Sequence, residues 1–415
     1  MPAGAPFRTV SDPRANDLDV ARLLATRAST MHGSGIRRVF DEASHVEGAI
    51  RLFIGQPDFP VDPALKKSAI DAILDADHHN TNGYTLTQGA PALTSAIRTH
   101  AAWDIGWDVG EGAATDCLVT SGTSGGLYLA ALALLNAGDE LIIPDPWFVL
   151  YPHLANLCGG VAVTCDTYPD FRMTAARVEP LITARTKAVL VCSPGNPCGV
   201  VLTQEEQRDL LELCRRKGVL LISDEIYDEF GFSESMTAQR AGDPSRAACP
   251  SAAREPGSAS NVLLIRGFGK TYGVTGWRLG YALGPRALIT EMRKLHAYIY
   301  VCAPAPLQLG AAQAFGVDMT PHIAEYQRRR DLVVDVLGAV TEVPLPGGAF
   351  YAFVKVPEHL KMTGEDFYHR AKHDKVFIVP GHTFSHRDSH FRLSFAAKMS
   401  ELERGLEILA KIMRG

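Results

Sequence analysis

Residues 186–193, Thr-Lys-Ala-Val-Leu-Val-Cys-Ser, constrain this chain more than any other stretch: they carry one charge in eight positions. A strand so uniformly apolar has no face to offer to water, so it belongs in a parallel sheet covered on both sides. Parallel strands need long crossover connections, usually helices. The flanking sequence supplies them. Residues 116–120 read as a strand, followed after a small-residue turn by a helix over 127–136. Residues 141–151 read as a strand running into Pro-Asp-Pro-Trp-Phe, 204–217 as a helix stopped by Gly218, and 219–223 and 261–265 as further strands. The expected fold is α/β, a mainly parallel sheet with helices on both faces.

Outside that alternation the pattern changes. Residues 17–50 look helical, broken at His32-Gly-Ser-Gly35, and a short strand over 52–59 ends in Gly55-Gln-Pro-Asp58. Helices are expected at 63–76, 91–102 and 286–298. Toward the C-terminus a helix over 321–340, a strand over 350–356, a helix over 365–373, the apolar 376–381, a strand over 390–395 and a closing helix over 400–413 suggest a smaller α+β unit. The expected division is 17–60 joining the small domain, 61–300 as the large domain, and 310–415 as the small domain.

Composition narrows the function classes. A chain of 415 residues at 46% hydrophobic content can bury a large core. A net charge of −5 offers no basic field, so no nucleic-acid partner is expected. The most apolar helical stretch, 127–135, is too short for a bilayer, so no membrane partner is expected either. The eight cysteines show no C-x-x-C spacing and there is no secretory apolar region, which points to a cytoplasmic setting. Residues 1–16 read as a loose tail, His78-His79 as a solvated turn, and 233–260 as a disordered surface insertion. No ligand spacing suggests a metal.

The chemistry gathers around Gly267-Phe-Gly-Lys270, just after the strand at 261–265, with Arg278 eight residues further on. A lysine in a glycine-rich turn beside a buried strand suits a desolvated amine, the usual nucleophile for Schiff-base chemistry; a plain surface lysine is the ordinary alternative. Ser121-Gly-Thr-Ser-Gly-Gly126, between a strand and a helix, makes an anion site of free N–H groups, suited to one phosphate ester rather than a dinucleotide. Asp224 closes a buried strand, where open α/β sheets place ligand groups. Arg392 stands on an apolar strand, and a buried arginine wants a planar anion, either a ligand or a structural carboxylate.

Together these motifs resemble those of the fold-type I pyridoxal-phosphate enzymes, the class I/II aminotransferases of the aspartate aminotransferase superfamily, over roughly residues 34–412. The resemblance implies pyridoxal 5′-phosphate held as a Schiff base on Lys270. It implies Arg278, Thr123 and Ser124 on the phosphate, Asp224 on the ring nitrogen, Asn196 and Tyr227 on the phenolic oxygen, and Phe148 against the ring. Lys270, Asp224 and Tyr227 are the implied catalytic set. Arg392 would hold the α-carboxylate of amino and 2-oxo acid substrates, with Asn196, Gly55 and Ile36 lining the substrate cleft. Tyr84, in Tyr-Thr-Leu-Thr-Gln-Gly89, would reach the phosphate of a neighbouring subunit, implying a homodimer with shared sites. Two positions depart from the family pattern: Gly267 replaces a serine, and Cys198 a threonine. A C–S lyase or an aminocyclopropane-carboxylate synthase would share the same motifs. Arg37 and Arg38 lie near the cleft segment and read as a solvated helix face.

Overall fold

The computed structural model describes residues 19–31, 33–75 and 80–415. The tail at 1–16 and the His78-His79 turn lie outside these. Residues 19–31 belong to a unit of their own, with one 3-10 turn at Val20–Leu23 and one helical turn at Thr26–Ser29, all exposed. Among the described residues of 17–50, the helical reading is realised in those turns and in Gly35–Ser44 alone.

The second unit begins at Gly33 and is built on a seven-stranded sheet. From edge to edge its strands are Thr115–Ser121, Leu279–Pro285, Val262–Gly267, Leu220–Asp224, Thr186–Cys192, Glu140–Asp145 and Val161–Asp166. Leu279–Pro285 runs antiparallel to both neighbours; the other pairings are parallel. Val189, Leu190, Leu221, Leu263 and Leu264 are fully buried, with helices packed on both faces of the sheet, as the 186–193 run demanded. The helix Gln204–Lys217 follows its sequence signals to the residue. Thr203 and Glu206 form a reciprocal capping box, and Gly218 ends the helix at φ +67°.

Three further expectations need correction, and two elements had not been expected. The helix after the first strand starts at Gly122, not at 127, and runs to Leu134. Gly122 takes φ +68°, which lets the chain turn from strand to helix without a linker. The strand expected over 52–59 does not form; the chain's short strand there is Ile50–Arg51, just before it, paired in parallel with Val376–Phe377. Beyond it the backbone carbonyls of Phe53 and Gly55 accept from side chains instead of from a neighbouring strand. The strand Leu279–Pro285 and the helix Ala305–Ala311 had no clear periodic signal; glycines at 280 and 284 interrupt the first.

The third correction concerns 233–260, which is an ordered segment, not a disordered one. Ala238–Gln239 and Ala247–Ala248 pair as a small antiparallel ribbon, and 3-10 turns follow at Ala252–Arg254 and Ser258–Ser260. What orders it is charge. The Asp104 carboxylate accepts from Arg240 at 2.5 Å, Arg254 at 3.0 Å and Arg266 at 2.7 Å, and Arg240 also reaches Glu229. These guanidiniums hold the Asp104 carboxyl far below the usual range against the opposing effect of burial. Two of the three arginines come from the insertion, so its polar composition reflects buried ion pairing rather than solvation.

A second sheet places Tyr351–Lys355 and Val379–Pro380 on either side of His390–Ser394, antiparallel to both. Arg392 is opposite Phe353 and Val379, in the middle strand.

Candidate active site

A cavity of about 480 Å³ opens at the carboxyl ends of Thr115–Ser121, Thr186–Cys192, Leu220–Asp224 and Val262–Gly267. Lys270, Asp224, Tyr227, Thr123, Ser124, Phe148, Asn196, Arg278, Arg392, Gly55 and Ile36 all line it. Tyr84 does not: it is 85% exposed and stands outside its own chain's cavity.

The strand Val262–Gly267 ends in a single helical turn, Phe268–Thr271, that carries Lys270 into the cavity. Its Nζ donates to the Gly55 carbonyl and lies 5.9 Å from the centre of the Phe350 ring. Burial above all, then the Arg392 and Arg278 guanidiniums, brings the amine down to about 8. Arg278, at φ +56°, donates from Nη1 to Thr275 O at 3.1 Å. Its guanidinium lies against Gly122, where a Cβ would stand 2.8 Å from Nη2. Arg278 and the N-terminus of the helix carrying Thr123 and Ser124 therefore converge on one spot, where the first helical N–H groups have no intrahelical acceptors. Gly280 permits the approach of its strand, since a Cβ there would be 2.7 Å from Thr123 N.

The Gly267 departure has a steric reason. A Cβ at 267 would meet Ile226 Cδ1 at 2.7 Å and Thr123 Cγ2 at 2.9 Å, so these neighbours fill the space a serine would need. Cys198 is buried, and its thiol is pushed up to about 11, which leaves it a small neutral group.

Asp224 is enclosed. The Tyr151 hydroxyl donates to its Oδ2 at 2.7 Å and the Ile226 N–H to Oδ1 at 3.3 Å. Burial raises the carboxyl to about 6, with both hydrogen bonds pulling the other way and Glu225 adding to the rise. Tyr151 was not picked out in the sequence. The available signal was its hydroxyl-bearing ring three residues after Phe148, and the two rings meet edge-on at 5.6 Å. Trp147 turns away and packs against His386 at 4.8 Å. Tyr227 is buried with its hydroxyl 3.2 Å from that of Tyr351, a second residue not singled out from the sequence.

Arg392 is 1% exposed. Nη1 donates to Asn196 Oδ1 and Nη2 to Phe53 O, both at 3.0 Å, while buried Nε has no partner. The rings of Tyr351 and Phe384 face its guanidinium at 4.5 and 4.7 Å. Burial lowers its pKa. The structural carboxylate considered as its alternative partner is not found among the described residues. The other deeply buried arginines, Arg240, Arg266, Arg329 and Arg330, each have one. With its oxygen committed to Arg392, Asn196 keeps its amide donors for a ligand. Among the described residues no three His, Cys, Asp or Glu side chains group as metal ligands, and no helix is long and apolar enough to cross a membrane.

Comparison with known proteins identifies the family. A family model described as aminotransferase class I and II matches residues 47–409. The aspartate aminotransferase of Rhizobium meliloti is 34% identical over 410 residues, covering 93% of this chain and 95% of that one. Among solved structures, aspartate aminotransferase from Thermotoga maritima superposes with a TM-score of 0.85 at 27% identity, covering 94% of this chain and all of the other. Aromatic aminotransferase from Pyrococcus horikoshii gives 0.80 at 28% identity, covering 91% and 98%. The matched segment spans both sheets and every residue of the cavity apart from Ile36 and Phe40, so the chain belongs to the aminotransferase class I and II family.

Proposed function

We propose that the cavity holds pyridoxal 5′-phosphate and moves the amino group of an L-amino acid to a 2-oxo acid. One observation carries this reading. Asp224 and Arg392 are enclosed in the same cavity, and among the described residues neither has an ionic partner. An unpaired buried charge is costly, and such costs persist at sites where a ligand brings the missing partner. A phosphorylated pyridine and an amino acid would supply both.

The donor set fits that group. Lys270 Nζ would carry it covalently. Arg278, Thr123, Ser124 and the helix N-terminus would hold its phosphate, Asp224 its ring nitrogen, Tyr227 and Asn196 its phenolic oxygen, and Phe148 a ring face. When bound, the cofactor supplies an electron sink that acidifies the substrate Cα–H. The chain's own part follows from its geometry. Arg392, its guanidinium clamped between two rings, presents a fixed fork to the α-carboxylate. Gly55 and Ile36 border the substrate. Lys270 Nζ, at about 8, gives up its own proton readily and is the base that takes and returns the proton at Cα.

The same reading makes the enzyme a cytoplasmic homodimer. Tyr84 is exposed and away from its own cavity, which supports donation to the site of a second copy. Ile70, Ile73, Leu86, Tyr298 and Ile299 are also exposed apolar side chains of the kind partners cover. All eight cysteines are free, as a reducing compartment would keep them.

The test is direct. Protein loaded with pyridoxal 5′-phosphate and supplied with an amino donor and a 2-oxo acid should yield the new amino and oxo acid pair. Borohydride should fix the cofactor to Lys270. Recovery of the label on a different lysine, or release of ammonia without an oxo-acid requirement, would refute the reading.

A further inference from the structure

We infer that Tyr351 is a positioning residue for both halves of the site: its hydroxyl steers the Tyr227 proton toward the cofactor, and its ring holds Arg392 for the α-carboxylate. This rests on the cofactor and aminotransferase reading above. Tyr351 opens the strand Tyr351–Lys355 and pairs with Ser394, while Arg392 pairs with Phe353. Tyr351 and Arg392 are therefore diagonal neighbours on one face of the sheet, a spacing that an aromatic and a long side chain can bridge. The Tyr351 ring covers the guanidinium at 4.5 Å.

The hydroxyl at the far end of the same ring meets the cofactor side of the cavity. The Tyr227 hydroxyl donates to it at 3.2 Å. Gly55 approaches so closely that a Cβ there would stand 3.0 Å from Tyr351 Oη, and the Gly55 carbonyl accepts from Lys270 Nζ. Tyr351 is 1% exposed, and burial raises its pKa against the pull of Arg392, so its hydroxyl keeps its proton. A hydroxyl has one proton to donate and two lone pairs to accept with. Once Tyr227 gives its proton to the phenolic oxygen, the bond between the two hydroxyls persists only with Tyr351 as donor. The chain then runs one way, from Tyr351 to Tyr227 to the cofactor, and each bond strengthens the next. Phenylalanine at 351 would fill the same space and cover Arg392 equally, but it would break that chain at its first link.

The experiment uses the full chain loaded with pyridoxal 5′-phosphate. In Tyr351→Phe, kcat should fall at least about threefold while KM for amino and 2-oxo acid stays within about twofold, the split expected when an interaction with the reacting cofactor weakens and substrate binding does not. A second readout needs no turnover: the pH at which the absorbance of the bound cofactor changes. A weaker donor leaves more charge on the phenolic oxygen, which holds the proton on the Lys270 nitrogen more tightly. That midpoint should therefore rise in Tyr351→Phe by about 0.3 unit or more, a twofold change in proton affinity. The other titratable groups acting on Tyr227 are Arg392 and Cys192, whose thiol burial keeps neutral, and both stay in place in this variant. In Tyr351→Leu the ring is lost too, and KM for both acids should rise at least about threefold. A kcat and a midpoint both unchanged in Tyr351→Phe overturn the inference, as does a KM raised as far in Tyr351→Phe as in Tyr351→Leu. An unchanged KM in Tyr351→Leu overturns the role of the ring. A parent that transfers no amino group to any 2-oxo acid would sink the aminotransferase reading, and a raised midpoint in Tyr351→Phe would still uphold the link through Tyr227.

Discussion

Replacing Asp224 by asparagine in cofactor-free protein isolates the unpaired charge on which the site is read. The carboxyl is held at about 6 where an exposed aspartate would have 3.8, and burial is the main cause. A carboxyl raised in the folded state lowers stability, and the sign sets the pH window. Well below pH 3.8 the group is neutral in both states and costs nothing. Between 3.8 and about 6 the unfolded chain ionises while the folded one resists, so the cost grows; above about 6 it is constant. At 1.36 kcal/mol per pKa unit the plateau is about 3 kcal/mol. Asparagine has no charge to bury, and its oxygen can still accept the Tyr151 hydroxyl that now sits 2.7 Å from Oδ2. Cofactor-free Asp224→Asn should therefore be more stable than the parent at pH 8 by up to about 3 kcal/mol, and by less than about 1 kcal/mol at pH 4. For a chain of this length that is a rise of roughly 3 °C in Tm. Calorimetric melts at pH 4, 6 and 8 measure it. Adding pyridoxal 5′-phosphate should reverse the order, since only the carboxylate gains a cationic partner. An equal gain at pH 4 and pH 8, or a loss at pH 8, would show that the charge at Asp224 is not held at a cost and would remove the principal support for the cofactor assignment.

Three further outcomes follow from the same geometry. Arg392→Leu should keep the absorbance of the bound cofactor and raise KM for amino and oxo acid alike at least tenfold, since each charge-assisted hydrogen bond lost is worth roughly 1.5–3 kcal/mol; an unchanged KM for both would place the carboxylate elsewhere. Gly267→Ser should cost about 1–3 kcal/mol of stability by overpacking against Ile226 and Thr123, and the same serine should cost less in an Ile226→Ala chain than in the parent; a melt unaltered by Gly267→Ser would contradict the steric account. Lys270→Ala and Tyr84→Ala chains, mixed after dissociation and reassociation, should form hybrids with one intact site each. With random pairing, activity should approach about a quarter of the parent by symmetric-dimer counting, whereas no gain over the average of the two variants, with subunit exchange demonstrated, would put Tyr84 outside the neighbouring site.

Local physics made much of this protein legible before any coordinates. The apolar run at 186–193 required a sheet covered on both faces, and Thr203, Glu206 and Gly218 marked the ends of a helix through hydrogen bonds and a backbone angle that involve only near neighbours. Lys270, Asp224 and Asn196 stood out in motifs at or just past the ends of such strands, and Arg392 as an arginine within an apolar one. What tertiary structure decided is which groups meet. That 233–260 is ordered depends on Asp104, more than 130 residues away from Arg240 in the chain, and no local pattern reports a partner at that distance. Tyr151 and Tyr351 looked like ordinary aromatics, and only folding turns the first toward Asp224 and the second toward both Tyr227 and Arg392. The absence of serine at 267 looked like a loss until Ile226 and Thr123 were seen to occupy its space. The physical reason is the same in each case: backbone propensity and capping are set by residues a few positions apart, whereas pKa, ion pairing and the shape of a cavity are set by side chains that the fold alone brings together.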